Sequence, residues 1–320
     1  MGKTGSSKVK EKIKIFLTII FLFNILSAEG IAGFAGSFLR FGTTAYSMSM
    51  GGGFTAAFDQ GFPGYQNPAS VGFLNDRNVT VLHHFLPLDR YLISGSFSTK
   101  LPPSAGLGIG IINAGVDKID GRDASGKQTG LFSTEEYAIY LSFANKLVKK
   151  ISLGVNVKIF YQVLPIEGRI NSKGTGVDAG FIYRHSKNLE LGFVIQDWNA
   201  SYAWNTGEIF NEKGSTYEDE FPMQIRAGFV YRPGSFDIIG DYTYFQMGNH
   251  VSSNRIRLGG EYIPMERIFV RAGINNFLPS VGMGLQYSLL KPDDAQLDYA
   301  LVLGRRGEGL SHVFTYVLKF

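Results

Sequence analysis

The chain contains no cysteine, and only five of its 320 residues are histidines. The missing cysteine excludes disulfides, thiolate metal sites and a lipid anchor on an N-terminal cysteine. His83 and His84 are neighbours, so on a strand their side chains point to opposite faces and cannot chelate one ion together. His312 follows Ser311 in the same way, and no Gly-x-Ser-x-Gly sequence occurs. We therefore predict no enzyme activity, no catalytic residue, no metal and no cofactor.

Beyond its first residues the chain also lacks net charge and long apolar runs. Residues 1–28 carry five lysines and one glutamate, which accounts for the whole formal net charge of +4. The rest of the chain is balanced, so we predict no nucleic acid partner, because such partners require a basic surface. After residue 30 no stretch approaches the ~20 apolar residues of a membrane-spanning helix.

The first 30 residues have the pattern of a secretory signal peptide. A lysine-rich start leads into the apolar run IKIFLTIIFLFNILSA, which is followed by small residues. Cleavage after Gly30 would place Ala28 and Gly30 at the small-residue positions. A single membrane-spanning helix is the alternative, but the run is short and passes into alanine and glycine. We predict a signal peptide over 1–30 and an exported mature chain.

From about residue 77 onward, apolar and polar residues alternate with a period of two. In ISLGVNVKI at 151–159, Ile151, Val155 and Ile159 lie on one face, whereas Asn156 and Lys158 lie on the other. Each such segment has about the length of a tilted strand crossing a bilayer. A soluble β-sandwich would alternate as well and is the alternative. There are fourteen segments, at 77–86, 90–99, 106–116, 134–145, 150–160, 174–184, 189–197, 221–231, 235–245, 254–263, 267–275, 279–288, 295–303 and 310–320.

Three further features and the lengths of the connections favour a membrane barrel over a sandwich. The apolar faces carry almost no charge after residue 150, and aromatic residues such as Tyr183 and Tyr262 gather near strand ends, as an interfacial girdle requires. The last segment ends on Phe320, which resembles the terminal signal by which outer-membrane barrels reach their assembly machinery. Several connections after odd-numbered segments are long, notably 117–133, 161–173 and 198–220.

We therefore predict an all-β fold, a transmembrane antiparallel β-barrel of about 14 strands over residues 77–320. Its location would be the cell outer membrane of a diderm bacterium. Its partners there would be outer-membrane lipid and the barrel-assembly machinery.

Residues 31–76 precede the barrel and do not alternate. Because a lumen enclosed by fourteen strands is too wide for wall side chains to fill, we expect this segment to fold back inside as a plug. The plug motif has two parts. Gly51, Gly52 and Gly53 would let the backbone turn sharply near the wall, and Asn67, Pro68 and Ala69 would form a turn.

The stretch FLRFGTTAYSMSMGGGFTAAFDQGFPGYQNPASVGFL at 38–74 resembles the amino-terminal signature of the PorV/PorQ family, within the wider FadL-like outer-membrane group. The matching positions are Phe38-Leu39-Arg40, Met50-Gly51-Gly52, Phe54-Thr55-Ala56 and Asn67-Pro68-Ala69. The usual acidic pair is replaced by Asp59-Gln60, and the aromatic residue before Asn-Pro is displaced to Tyr65.

This resemblance implies two functions. PorV/PorQ members serve type IX protein secretion, which implies secreted protein cargo or a translocon as partner. FadL-like members pass hydrophobic small molecules across the outer membrane. We take the secretion role as the main prediction and hydrophobic transport as its alternative. A structural scaffold is a third option.

Two further sites are candidates from the residues alone. Gly106, Gly108 and Gly110 form a glycine row on one face of the third segment, which would either receive the plug or open a gap for a hydrophobic solute. In the loop at 198–220, Trp198, Tyr202 and Trp204 would form either a partner surface or part of the aromatic girdle. Charges on the inner face carry both signs and would brace the wall and hold the plug, namely Arg226, Arg255, Arg257, Arg271, Asp178, Asp241, Glu190 and Asp298.

Overall fold

The computed structural model describes residues 33–57, 63–164, 171–205, 207, 214–248, 251–304 and 307–320. The predicted signal peptide lies outside these residues, as do Asp59 and Gln60. Among the described residues, no helix has the length and apolar character needed to cross a bilayer.

The described residues form fifteen antiparallel strands, fourteen of which follow one another around a closed barrel. Strand β8 extends one end of β7 and pairs with that strand alone, whereas the other fourteen close through the pairings of β1 with β15 and of β6 with β7. The predicted fourteen-stranded barrel is therefore confirmed. The strands are β1 Asn78–Leu86, β2 Arg90–Leu101, β3 Ala105–Arg122, β4 Gln128–Val148, β5 Ile151–Val163, β6 Asn171–Arg184, β7 Leu189–Asn205, β8 Thr216–Glu220, β9 Met223–Tyr231, β10 Phe236–Met247, β11 Val251–Met265, β12 Ile268–Asn275, β13 Leu278–Tyr287, β14 Ala295–Leu303 and β15 Leu310–Lys319.

The two faces of the wall invert the usual distribution of polarity. Outward-facing Val155 and Val157 are 47% and 52% exposed, whereas inward-facing Asn156 and Lys158 are 0% and 1% exposed. A soluble sandwich would bury its valines. A barrel in lipid instead presents them to the acyl chains, so the alternation that predicted the strands also decides which face meets the membrane. The sandwich alternative is wrong.

Strands β3 and β4 are longer than predicted. Their hairpin continues past the predicted ends to a turn at 123–127, so most of the predicted loop 117–133 is strand. In the turn, Asp123 accepts hydrogen bonds from the Ser125 hydroxyl and the Lys127 amide, which lower the pKa of its carboxyl group. Loop 198–220 likewise contains a hairpin, formed by the end of β7 and by β8.

Both ends of the wall lie at one rim. The amide of Arg77 donates to the carbonyl of Phe320 at 3.1 Å, and the amide of Phe320 donates back at 3.0 Å. This rim carries short turns, such as the one between β2 and β3. We call the opposite rim, which carries the β3–β4, β5–β6 and β7–β9 connections, the loop rim.

The N-terminal segment, residues 33–57 and 63–76, lies inside the barrel. It contains a 3₁₀ helix at Ser37–Arg40, the five-residue helix α1 at Ala45–Ser49 and a second 3₁₀ helix at Pro68–Phe73. Helix α1 packs on β12 to β15, and the second 3₁₀ helix packs on β2 to β6. The segment therefore spans the lumen from one wall to the other. Residues 43–51, 53–57 and 63–74 are all buried.

Candidate functional site in the barrel lumen

The glycines at 51–53 end helix α1 and pass close to the wall. Gly51 and Gly52 have φ angles of +74° and +79°, in the left-handed region that glycine adopts without strain. The amide of Gly52 donates to the carbonyl of Ser47 at 2.7 Å, which closes the C-terminus of α1. A Cβ atom on Gly52 would lie 3.5 Å from Cδ of Arg257 on β11. The glycines thus bring the segment backbone against a wall arginine.

Asn67 joins the second 3₁₀ helix to the wall. Its Oδ1 accepts from the amide of Ala69 at 3.1 Å and caps the helix that begins at Pro68. Its Nδ2 donates to the carbonyl of Thr55 at 2.8 Å, and contacts the carbonyls of Phe181 on β6 and Phe193 on β7 at 3.2 and 3.3 Å. One side chain thereby links two parts of the segment to two strands.

Asp241 on β10 is the main acidic anchor of the segment. Its Oδ2 accepts from the amides of Phe54 and Thr55 at 2.7 and 3.0 Å and from the Thr55 hydroxyl at 2.8 Å. Hydrogen bonds to an ionised acceptor are stronger than those between neutral groups. This arrangement agrees with the bracing role expected of the inward charges.

Tyr65 ties the interior of the segment together. Its hydroxyl donates to the carbonyl of Leu39 at 2.7 Å, and Gln196 on β7 donates to the Tyr65 carbonyl at 2.8 Å. The ring is 2% exposed, and burial raises the pKa of its hydroxyl. The phenol stays neutral and keeps its donor role across the physiological pH range.

Wall glycines leave room for the segment backbone. At each position an added Cβ would collide with a backbone atom of the segment or with Asn67. These positions are not among the candidate residues predicted from the sequence. Their signal is a glycine at an inward position of an alternating strand, where a polar side chain would otherwise stand. The set is Gly154, Gly180, Gly192, Gly259 and Gly273.

The glycine row on β3 lies against the same segment. A Cβ on Gly106 would strike the carbonyl of Val71, one on Gly108 would lie 3.3 Å from Cγ1 of Val71, and one on Gly110 would strike Tyr140. Strand β3 pairs with β2 and β4 without interruption through these residues, and its register shifts lie further on, between Val116 and Ile119 and between Gly121 and Arg122. In this structure Gly106 and Gly108 contact the segment and Gly110 contacts Tyr140 of β4, and the function of the row stays a prediction.

Two buried ion-pair clusters brace the wall. Lys158 on β5 contacts Asp178 and Asp197, both at 2.8 Å, and Arg271 on β12 contacts Glu261 and Asp298. Asp197 reaches the first cluster because a bulge in β7 turns both Gln196 and Asp197 inward.

A cavity of about 480 Å³ lies between the segment and the loop rim. Its walls include the segment residues Met48, Gly51 and Gly52, and its rim includes Pro87 and Asn276 from two loops. Five arginines line it, at positions 40, 90, 226, 255 and 257. Arg226, Arg255 and Arg257 are among the inward charges predicted from the sequence, but no local pattern shows that the five arginines meet.

Comparison with solved structures identifies the architecture, although no family model and no curated protein matches the sequence. The toluene transporter TbuX of Ralstonia pickettii superposes with a TM-score of 0.63 at 15% identity, covering 87% of this chain and 98% of that one. The P. putida toluene transporter TodX gives 0.62 at 15% identity, covering 87% and 99%. A Pseudomonas aeruginosa FadL homologue gives 0.61 at 12% identity, covering 87% and 98%.

The fold is that of the FadL-like outer-membrane barrels. At these identities the likeness concerns architecture, and all three matches extend over nearly their full length. This structural likeness does not distinguish the PorV/PorQ family from other FadL-like barrels. The resemblance to that family comes from the N-terminal motif alone. Among the residues that the structure describes, no group of three or more side chains is arranged to hold a metal ion.

The three aromatic residues predicted as a partner surface do not share one face of the FadL-like wall. Trp198 is 61% exposed on the outside, whereas Tyr202 is 1% exposed and packs on Phe160 and Phe221. Trp204 donates from its indole nitrogen to Asp219 at 2.7 Å. A second bulge of β7, between Trp198 and Ser201, separates Trp198 from the other two, because it changes which side chains point inward.

Proposed function

We propose that the protein is an outer-membrane channel for hydrophobic small molecules, with the N-terminal segment as its plug. The fold supports this, since the similar structures include barrels named as toluene transporters and monoaromatic hydrocarbon channels. The segment inside the lumen carries the proposal, because it separates the loop rim from the opposite rim. A solute that enters from the loops must displace part of it.

The contacts of the segment suit a plug that opens locally. Separate wall side chains hold separate parts of it, for instance Asp241 at Thr55 and Asn156 at Gly64, while the wall glycines offer no side chain to interlock with it. One part of the segment can therefore open while the strand ladder around it stays paired.

An engineered disulfide tests whether passage requires the segment to move. An ideal Cβ on Gly72 would lie 3.4 Å from Cβ of Ser152 on β5, close to the ~3.5–4.5 Å separation found in disulfides. The natural chain has no cysteine, so Gly72→Cys with Ser152→Cys would form the sole disulfide. We expect the oxidised variant to lose uptake of labelled toluene in a diderm host lacking its own channel, and reduction to restore it.

The two single-cysteine variants are the matched controls and should transport under both conditions. Undiminished uptake by the oxidised double variant, with the disulfide verified by mass spectrometry, would show that passage does not need this part of the segment to move. Absence of uptake in the unmodified protein would reject the transport function itself.

Secretion remains a second candidate, favoured by the motif at 38–74. Its test is native mass spectrometry of the protein released gently from its own outer membrane. A bound polypeptide or a translocon complex would support it, whereas a lone barrel carrying an apolar molecule would support transport.

A further inference from the structure

The cavity beneath the loop rim has an excess of positive charge. Its described lining contains the five arginines and a single carboxylate, Glu308. The lining is otherwise mixed, with Phe41, Met48 and Leu278 on the apolar side. A volume of about 480 Å³ lies within the ~300–1,000 Å³ of typical small-molecule sites.

Two of the arginines are buried without a carboxylate partner. Arg226 and Arg257 are each 3% exposed, and neither guanidinium lies within ion-pair distance of a carboxylate in the described part of the chain. Arg257 donates from Nη1 to the Thr243 hydroxyl at 2.6 Å. Arg226 donates to Gln66 and Gln224 at 2.7 and 3.1 Å, and its buried Nε has no hydrogen-bond partner among the described residues.

Strand register places the two guanidinium groups together. Thr243 on β10, which Arg257 reaches, is the direct cross-strand neighbour of Arg226 on β9. The acid on the same wall, Asp241, already accepts from Phe54 and Thr55 of the segment. Asp241 is also the direct cross-strand neighbour of Arg257 and lowers the net charge around both guanidinium groups, but it forms an ion pair with neither of them in the described part of the chain. The pair therefore lines the cavity with one nearby carboxylate for two positive charges.

A third buried wall arginine, Arg271, does have carboxylate partners. Arg271 is 2% exposed and contacts both Glu261 and Asp298. Burying a guanidinium without an anionic partner is costly, and a wall arginine that only braces the barrel is paired. Among the described residues Arg226 and Arg257 have no carboxylate partner of this kind, which points to an anionic ligand at this site.

We infer that this cavity binds a small organic phosphate, with its dianionic head on Arg226 and Arg257 and an apolar body against Phe41, Met48 and Leu278. One guanidinium fork satisfies a single carboxylate, whereas two forks match the charge and the three acceptor oxygens of a phosphate monoester. Only the role of this anion as transported cargo rests on the proposed function.

Calorimetry on the full mature chain in lipid nanodiscs tests the inference with three probes of equal chain length. These are hexyl phosphate, hexanoate and hexanol at pH 8, where the phosphate ester is dianionic because its second pKa is about 6. We expect hexyl phosphate to bind at least tenfold more tightly than hexanoate, and hexanol to bind more weakly still. Equal affinities, or no binding of hexyl phosphate, would overturn the inference.

Arg226→Gln and Arg257→Gln should each weaken hexyl phosphate binding at least tenfold, and Arg257→Lys should recover part of the loss. Arg271→Gln is the matched control, since it removes a buried guanidinium outside the cavity and should leave the affinity unchanged. Thermal unfolding identifies folded variants, and the three-probe comparison needs no variant at all. Wild-type affinity in folded Arg257→Gln would overturn the inference.

Toluene uptake measured in parallel separates the two hypotheses. Hexyl phosphate binding without uptake would reject the proposed function and keep the phosphate site. Toluene uptake without hexyl phosphate binding would reject the phosphate site and keep the proposed function.

Discussion

Replacing Asn67 by alanine should loosen the N-terminal segment while leaving the barrel intact. The side chain caps the 3₁₀ helix at Ala69 and donates to the carbonyls of Thr55, Phe181 and Phe193. Asn67→Ala removes all of these contacts at once. It changes no residue of the strand ladder, so its effect should be confined to the attachment of the segment.

The magnitude follows from two losses. Removing a helix N-cap costs about 1 kcal/mol, and leaving buried carbonyl groups without their donor costs about 1–3 kcal/mol. The segment should therefore open more easily by roughly 2–4 kcal/mol. Since about 1.4 kcal/mol corresponds to a factor of ten, the opened population should rise about 30-fold to several hundredfold.

Hydrogen–deuterium exchange measured by mass spectrometry checks this directly. Amides of residues 53–57 and 63–74 should exchange faster by that factor, while amides of β5 and β6 should keep their protection. Asn145→Ala is the matched control, because the exposed Asn145 side chain accepts a hydrogen bond from Ser104, away from the segment. If the segment exchanges alike in both variants, Asn67 does not anchor it and the reasoning is refuted.

Two further substitutions test the wall. Gly273→Ala places a Cβ atom against the backbone of Met50 and Gly51, so we expect overpacking to destabilise the docked segment by roughly 1–3 kcal/mol, seen as faster proteolysis of the segment. Gly95→Ala, with nothing within 4 Å of the added Cβ, should behave like the natural protein, and equal proteolysis of the two variants would contradict the close approach. Lys158→Met leaves Asp178 and Asp197 buried without their cation, and should lower the free energy of unfolding in urea by about 3–5 kcal/mol, as broken buried ion pairs do. Lys187→Met, in an exposed turn, is its control, and an equal urea midpoint would show that the cluster contributes nothing.

The number and order of the strands follow from local sequence. Alternation in stretches such as 151–159 places valines on one face, and each of the fourteen predicted segments overlaps one wall strand. The strands can be predicted in this way because a strand that crosses lipid alternates with a period of two residues along its whole length, whatever its neighbours are. Strands β3, β4 and β7 extend beyond their predicted ends. The alternation of apolar and polar residues is lost there, because a hairpin beyond the bilayer no longer has a face in contact with lipid.

The contacts inside the barrel could be predicted from the sequence only in part. The glycines at 51–53 and the Asn67-Pro68-Ala69 turn are visible in sequence because they constrain the backbone locally, and the structure adds where each touches the wall. Trp198 and Tyr202 were grouped by their spacing, but a bulge in β7 sends them to opposite faces, and a bulge depends on pairing with β6.

Sequence by itself determined the membrane-facing alternation, the strand count and the absence of cysteine chemistry. Tertiary structure alone decided which inward residues meet. Arg226 and Arg257 lie 31 positions apart in the sequence, and become neighbours through the register of β9, β10 and β11. Arg271 carries the same charge on the same wall, yet the strands give it two carboxylates. Whether an inward arginine forms ion pairs within the wall or faces the cavity is decided by the pairing of the strands, which no local sequence pattern encodes.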